Sequence, residues 1–260
     1  TGDSNVAIGW QALMTEDAHS NNVAVGASAL QTQNAGAHAY NTALGFEAGK
    51  AVTSGIYNTL IGGNAGDALT DADFNVAVGL GALGSDTLGS RSTALGYAAL
   101  FTQNFTTATN SYNTAIGYES GTSITTGTGN TFVGGDSGDA VTTGFSNVAI
   151  GRNALSTEDT GRKNTAVGFA ALELQNGDAD NLNTAVGFYA GGAVTTSIYN
   201  TLVGGLAGDA LTTGGYNVAI GTEALSTEDT GRKNVAVGAY ALSVQNGDAD
   251  NHNTAVGYFA

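Results

Sequence analysis

The pentapeptide Asn-[Val/Thr]-x-aliphatic-Gly occurs fifteen times, and no other feature of this chain limits its fold so tightly. It begins at Asn5, Asn22, Asn41, Asn58, Asn75, Ser92, Asn113, Asn130, Asn147, Asn164, Asn183, Asn200, Asn217, Asn234 and Asn253, with Ser standing for Asn once. Most spacings are 17 residues, and the units that begin at Asn22, Ser92, Asn164 and Asn234 run to 19 or 21. The long units return every fourth time, so a super-repeat of 70 to 72 residues overlies the short one. A fixed period of this kind marks an array whose units bury their apolar faces only against one another.

With the Asn as position 0, position 1 is Val in six units and Thr in nine, position 2 is Ala in twelve, and position 4 is always Gly. Position 3 is always Ile, Val or Leu. β-Branched residues on either side of a small one predict a short strand. A Gly in all fifteen units predicts a corner with positive φ or a close backbone approach. So much Gly and Thr opposes helix. The chain has no Pro in 260 residues, where average usage of about 5% would place roughly 13, as a fold that needs nearly every backbone N–H would require. The expected fold is all-β: a parallel β-solenoid of 15 stacked coils of 17–21 residues, in a four-coil super-repeat of about 70 residues. The array is expected to run over 1–260 as a single continuous domain and, because it breaks off within a unit, to be a fragment of a longer one.

Finer expectations follow from covariation along the array. Third and fourth units carry Leu at position 8 (Leu155, Leu172), whereas first and second units carry Gly there and an aliphatic at position 11 (Gly191 with Val194, Gly208 with Leu211). Both groups are expected to fill one interior. Second units have a large residue at position 2 (Leu60, Phe132, Leu202) and Gly at position 5 (Gly63, Gly135, Gly205). That exchange predicts that positions 2 and 5 meet on one surface, with Phe132 near a seam between chains. The Ala-rich positions 2 and 7 are expected to form the flat contact face, and Thr at position 1 to face inward. Each Asn is expected to stack on the next as a ladder, in the left-handed conformation that Asn tolerates.

The 22 acidic and 7 basic residues leave a net charge of −15. Such a chain pairs with neither nucleic-acid phosphate nor anionic lipid. No apolar run approaches the roughly 20 residues of a membrane span, so no membrane insertion is expected in this segment. Thr1–Asn5 has neither the basic start nor the apolar stretch of a signal peptide. The absence of Cys excludes disulfides, thiolate metal sites and a Cys nucleophile.

Residue patterns that carry chemistry elsewhere find bland explanations here. Gly79-Leu-Gly-Ala-Leu-Gly84 spells GxGxxG, but a dinucleotide site needs that motif between a strand and a helix. Gly45–Lys50 is one residue short of a phosphate loop. The GGxxGD stretches at Gly62, Gly134 and Gly204 do not follow one another as calcium-roll nonapeptides do. Asn176-Gly-Asp178-Ala-Asp180 and Asn246-Gly-Asp248-Ala-Asp250 alternate oxygen side chains as calcium loops do, yet lack the closing Glu, so solvated turns are expected. Glu158 and Asp159, like Glu228 and Asp229, precede Arg and Lys and read as salt-bridged surface turns. His19, His38 and His252 do not cluster in the sequence. Aromatic residues just before position 0, such as Tyr40, Tyr57 and Phe74, are expected to pack between coils rather than to bind sugars. No catalytic, cofactor-binding or metal-binding residue is assigned.

Asn5-Val-Ala-Ile-Gly9, Asn147-Val-Ala-Ile-Gly151 and Asn217-Val-Ala-Ile-Gly221 resemble the head repeats of YadA-like trimeric autotransporter adhesins. The Asn-Thr-Ala-Val-Gly-Phe/Tyr variants at Asn164, Asn183 and Asn253 are similar to repeats in phage tail fibres and other bacterial surface fibres. The resemblance implies a left-handed β-roll assembled as a homotrimer outside the cell, on a cell surface or a virion. It implies a non-enzymatic, structural or adhesive fibre that attaches to a surface receptor or glycan. A tail-fibre shaft is the alternative within that class. A β-helix polysaccharide depolymerase is a third reading, which would require two carboxylates about 5–10 Å apart in a groove.

Overall fold

The computed structural model describes residues 2–17, 20–247 and 250–260, and no helix occurs among them. Every repeat unit contributes one three-residue strand at its positions 1 to 3. The fifteen strands, from Val6–Ile8 to Thr254–Val256, form one parallel sheet in chain order. This is the β-solenoid expected from the repeat, one coil per unit. By internal contacts the chain divides into two compact halves, Thr1–Asn130 and Thr131–Ala260.

In the first half the register pairs like with like, as in Val6 with Val23, Ala7 with Ala24 and Ile8 with Val25. The longest coil adds a small second sheet, in which Gly89–Ser90 pairs with Thr109–Asn110. In the second half Thr165, Ala166 and Val167 likewise face Thr184, Ala185 and Val186. Equal register turns every position of the repeat into a column along the coils. The residue at position 1 donates its N–H to the next coil's position-0 carbonyl, as Thr201 does to Asn217 at 2.8 Å. The corner Gly donates back to the previous coil's position 3, as Gly204 does to Val186 at 2.8 Å.

The corner glycines satisfy both halves of the expectation. All fifteen have φ between 129° and 145°, a region that a Cβ makes hostile. A Cβ built on Gly204 would also stand 2.5 Å from the Gly221 carbonyl oxygen. Three further positions per coil turn left-handed, in many coils with a side chain in place: the residue before the Asn, position 6 and position 8, for example Tyr199, Glu223 and Leu225. The left-handed residue is therefore the one preceding the Asn, not the Asn itself.

Position 8 explains the exchange of Leu for Gly. Its φ is left-handed whether the residue is Leu172 (50°) or Gly191 (60°). A Cβ on Gly191 would meet Leu202 Cδ1 at 2.6 Å, Leu172 Cδ2 at 3.0 Å and Val194 Cγ2 at 3.3 Å. The position-8 and position-11 side chains do share one interior, as expected.

Three expectations are corrected. Position 2 points into the coil, and Ala149, Leu202 and Phe132 are fully buried within this chain alone. Phe132 is therefore core and lies on no seam. Its partner is Gly138 at position 8, where a Cβ would stand 2.7 Å from the ring, whereas Gly135 at position 5 has nothing within 4 Å. The Ala at position 7 is likewise buried, as at Ala154 and Ala171. So the Ala columns line the interior and leave no contact face. Positions 1 and 3 take the opposite side of the strand, and Thr at position 1 is on the outer face.

Candidate functional site

Three columns carry the polar and aromatic residues of the array. The first is the Asn ladder at position 0, which is buried throughout most of its length. Each Oδ1 accepts the backbone N–H of the next coil's position 0, as Asn183 does from Asn200 at 2.8 Å. In the 17-residue coils Nδ2 donates to a carbonyl fourteen residues on, as Asn58 does to Ala72 at 2.7 Å and Asn217 to Gly231 at 2.9 Å. The long coils displace that carbonyl, and Nδ2 of Asn22, Asn164 and Asn234 is buried without a hydrogen-bond partner among the described residues. The remaining long coil has Ser92 at this position, whose hydroxyl bonds that of Ser111 at 2.5 Å.

The second column is position 11. First and second coils place Ile124, Val141, Val194 or Leu211 there, all fully buried. Third coils place Asp86, Glu158 or Glu228 there, and these carboxylates are fully buried as well. Glu158 Oε1 accepts the Gly161 N–H at 2.6 Å, and Oε2 accepts from Gly177 N and Asn181 Nδ2, both at 3.3 Å. Glu228 accepts from Gly231 N at 2.7 Å, Gln245 Nε2 at 2.8 Å and Asn251 Nδ2 at 3.2 Å. Asp86 accepts from Gly89 N at 3.0 Å, Phe105 N at 3.1 Å and Gln103 Nε2 at 2.5 Å. Burial pushes the Asp86 and Glu158 carboxyls above their ordinary range, against the pull of those donors. The salt-bridged surface turns expected at Glu158 and Glu228 are thus overturned. The lysines pair elsewhere, Lys163 with Asp180 and Lys233 with Asp250, each at 2.5 Å and half exposed. Arg162 lies over the Phe145 ring at 4.7 Å.

The third column is aromatic. Tyr40, Tyr57 and Phe74 stack with centroids 5.4 and 5.0 Å apart, and the Arg91 guanidinium continues the stack 4.8 Å from the Phe74 centroid. Tyr199 and Tyr216 repeat the arrangement at 5.0 Å. Ring faces between coils cover one another, which fits the packing role expected for them.

Among the described residues, the carboxylates of the first acidic turn are held by other partners. Asp180 is taken by Lys163, and Asp178 accepts the Thr160 hydroxyl at 3.2 Å. Asp248 and His19 lie outside the described residues. Among the described residues no three His, Cys, Asp or Glu side chains come together as metal ligands.

The first half carries an open groove of about 510 Å³, with Leu80, Gly81, Gly84, Tyr97, Ala98 and Phe101 as floor and Asn64, Asp67, Glu119 and Thr122 as rim. Asn64 Nδ2 donates to Asp67 Oδ2 at 3.2 Å, and burial raises the Asp67 pKa. Asp67 and Glu119 belong to the fourth and seventh coils. Three coil rises alone set them about 14 Å apart along the stack, beyond the roughly 5–10 Å over which two carboxylates cooperate in glycoside hydrolysis. Glu47, the nearer neighbour of Asp67, is tied to Lys50 at 2.9 Å and does not line the groove.

Sequence reasoning missed the buried acids because Glu and Asp beside Arg and Lys read as surface. The signal was present in the position-11 column, where a carboxylate occupies a place that is aliphatic two or three coils later. No family model matches the chain, and no curated protein matches it.

Proposed function

We propose that this chain is a non-enzymatic structural and adhesive repeat region of an extracellular fibre, in which parallel copies associate side by side in a homotrimer. The outer face of the sheet carries this reading. Leu44, Leu95 and Ile220 at position 3 remain 39–47% exposed, and Tyr118 and Phe188 stand beside the same row at position 5, also exposed. Exposed apolar rows of such extent are characteristic of interaction surfaces. Because each position stacks on its equivalent, one contact pattern repeats at every coil, and a parallel, in-register partner would match it along the whole row. The interior holds hydrogen-bonded polar columns, which suits a structural role.

Light scattering on the purified 25.8 kDa chain tests the association. The expected mass is three times that of one chain. Ile220→Glu together with Val186→Glu should return the mass to one chain while circular dichroism stays unchanged. A parent protein that remains a folded monomer at micromolar concentration overturns the reading and leaves the solenoid standing.

A further inference from the structure

Coils five and six depart from the array at places that all face the groove of the first half. Other third coils carry Gln11, Asn153 and Glu223 at position 6, and Met14, Ser156 and Ser226 at position 9; coil five has Gly81 and Gly84. Other fourth coils carry Gln31, Glu173 and Ser243 at position 9; coil six has Phe101. Two side chains are thus deleted and one aromatic is set beside the gap. A Cβ on Gly84 would stand 3.2 Å from Phe101 Cε2, and one on Gly81 3.3 Å from Cδ2. The GxGxxG stretch, which has no helix to serve, is the floor of this groove.

We propose that the groove binds an extended basic peptide. The aliphatic parts of the peptide lie on Leu80 and Phe101, and its ammonium or guanidinium groups reach Asp67 and Glu119. Charge complementarity selects that occupant. Neither acid forms an ion pair among the described residues, and Lys50, the lysine near Asp67, is engaged by Glu47. The net charge of −15 repels anionic ligands. Long basic side chains suit a floor that is apolar and a rim that is acidic, since their stems pack on hydrocarbon and on rings while the charge stays at the edge. The spacing sets a register. About 14 Å corresponds to roughly four residues of an extended chain, and side chains four apart project to the same side. The matching peptide has basic residues at i and i+4 and an apolar residue at i+2. This inference does not depend on the fibre reading, and its assay does not report association between copies.

The probe is fluorescein-labelled Lys-Ser-Leu-Ser-Lys-amide, followed by anisotropy at low salt. Saturable binding to one site per chain is expected, with affinity falling at least tenfold for the reordered peptide Lys-Lys-Leu-Ser-Ser-amide. Gly81→Asn with Gly84→Ser copies Asn153 and Ser156 of coil nine, so the array already accommodates both residues. This variant should fill the groove and weaken binding at least tenfold with an unchanged dichroism spectrum. Asp67→Asn with Glu119→Gln should do the same by removing the charge. Asp71→Asn with Glu173→Gln, acids outside the groove, should change affinity less than twofold. The proposal is overturned if the two peptides bind alike, if the filled groove binds as the parent does, or if the distant acids matter as much as the rim acids. It is equally overturned if maltose, a neutral sugar, displaces the peptide, or if no binding occurs at millimolar peptide.

Discussion

The pairing of Phe132 with Gly138 predicts a specific non-additivity. Phe132 is fully buried, and its truncation to Ala removes a large core side chain, at a cost of about 3–5 kcal/mol. Gly138→Ala places a methyl 2.7 Å from two ring carbons at a φ of 56°. The left-handed conformation costs an L-residue about 1–2 kcal/mol, and the forced contact adds about 1–3 kcal/mol of overpacking. In the double variant the ring is gone. The contact vanishes, and the methyl enters the space that the ring has left. The two effects should therefore couple by about 1–3 kcal/mol, so that Phe132→Ala with Gly138→Ala is less stable than Phe132→Ala alone by no more than the left-handed cost of about 1–2 kcal/mol. Urea unfolding followed by far-UV circular dichroism gives the four midpoints and slopes. If the two losses add to within about 0.5 kcal/mol, as independent sites do, the ring does not occupy the space at position 8 and the account of the Leu-for-Gly exchange fails. The control is Gly135→Ala at position 5, where a Cβ meets nothing within 4 Å; it should show no coupling to Phe132.

Gly204→Val should lower the urea midpoint far more than Gly205→Ala, because a corner φ of 136° and the Gly221 carbonyl both oppose a side chain; equal midpoints would remove the corner assignment. Asn183→Ser should cost about 1–3 kcal/mol more than Asn164→Ser, since Asn183 Nδ2 donates to Gln175 and Ser197, each at 2.7 Å, while Asn164 Nδ2 has no partner among the described residues. Equal losses in the two thermal melts would show that the amide donors do not matter. Burial holds the Asp86 and Glu158 carboxyls above their ordinary values of 3.8 and 4.5, so the folded chain binds protons that the unfolded chain has released. Stability should therefore rise as the pH falls from 7 toward 4.5, and a urea midpoint that drops through that window would contradict the burial of these acids.

The backbone of this fold was legible because it is periodic. Position 4 required Gly fifteen times over, and positions 1 to 3 alternated in the manner of a strand. The same periodicity did not say which side of the strand faces inward. Ala at position 2 and β-branched residues at positions 1 and 3 fit either direction, and size alone favours the larger residues as core. The coil is too narrow for that choice. Its interior takes Ala at position 7 and, in most coils, at position 2, and then a few larger groups from positions 8 and 11 or, every fourth coil, from positions 2 and 11. Large residues at positions 1 and 3 are left outside for lack of room. The groove was illegible for another reason. Gly81, Gly84 and Phe101 depart from their equivalents in other coils, and their meaning depends on side chains one coil away rather than on neighbours in sequence.

The four-coil period itself has a physical reason in the position-11 column. An aliphatic coil is indifferent to which aliphatic coil lies beside it, so a stack of such coils can slip by one unit at little cost. A buried carboxylate is not indifferent. Glu228 needs Gly247 N, Gln245 Nε2 and Asn251 Nδ2, all supplied by the longer coil that follows it. The Gln passes the register on, since Gln175 Oε1 accepts from Asn183 Nδ2 at 2.7 Å and Gln33 Oε1 from Asn41 Nδ2 at 2.6 Å. A slip by one coil would set Glu158 against an aliphatic such as Val194 and leave a buried carboxylate without donors, at a cost of several kcal/mol. The two extra residues of the long coil deliver Gly177 and Asn181 to Glu158. Their presence displaces the carbonyl that would have served Asn164, which is why, among the described residues, the position-0 Nδ2 groups left unsatisfied belong to long coils. Acid, amide and insertion thus form one device that fixes the register of an otherwise interchangeable stack. They recur together because none of the three serves that purpose without the others.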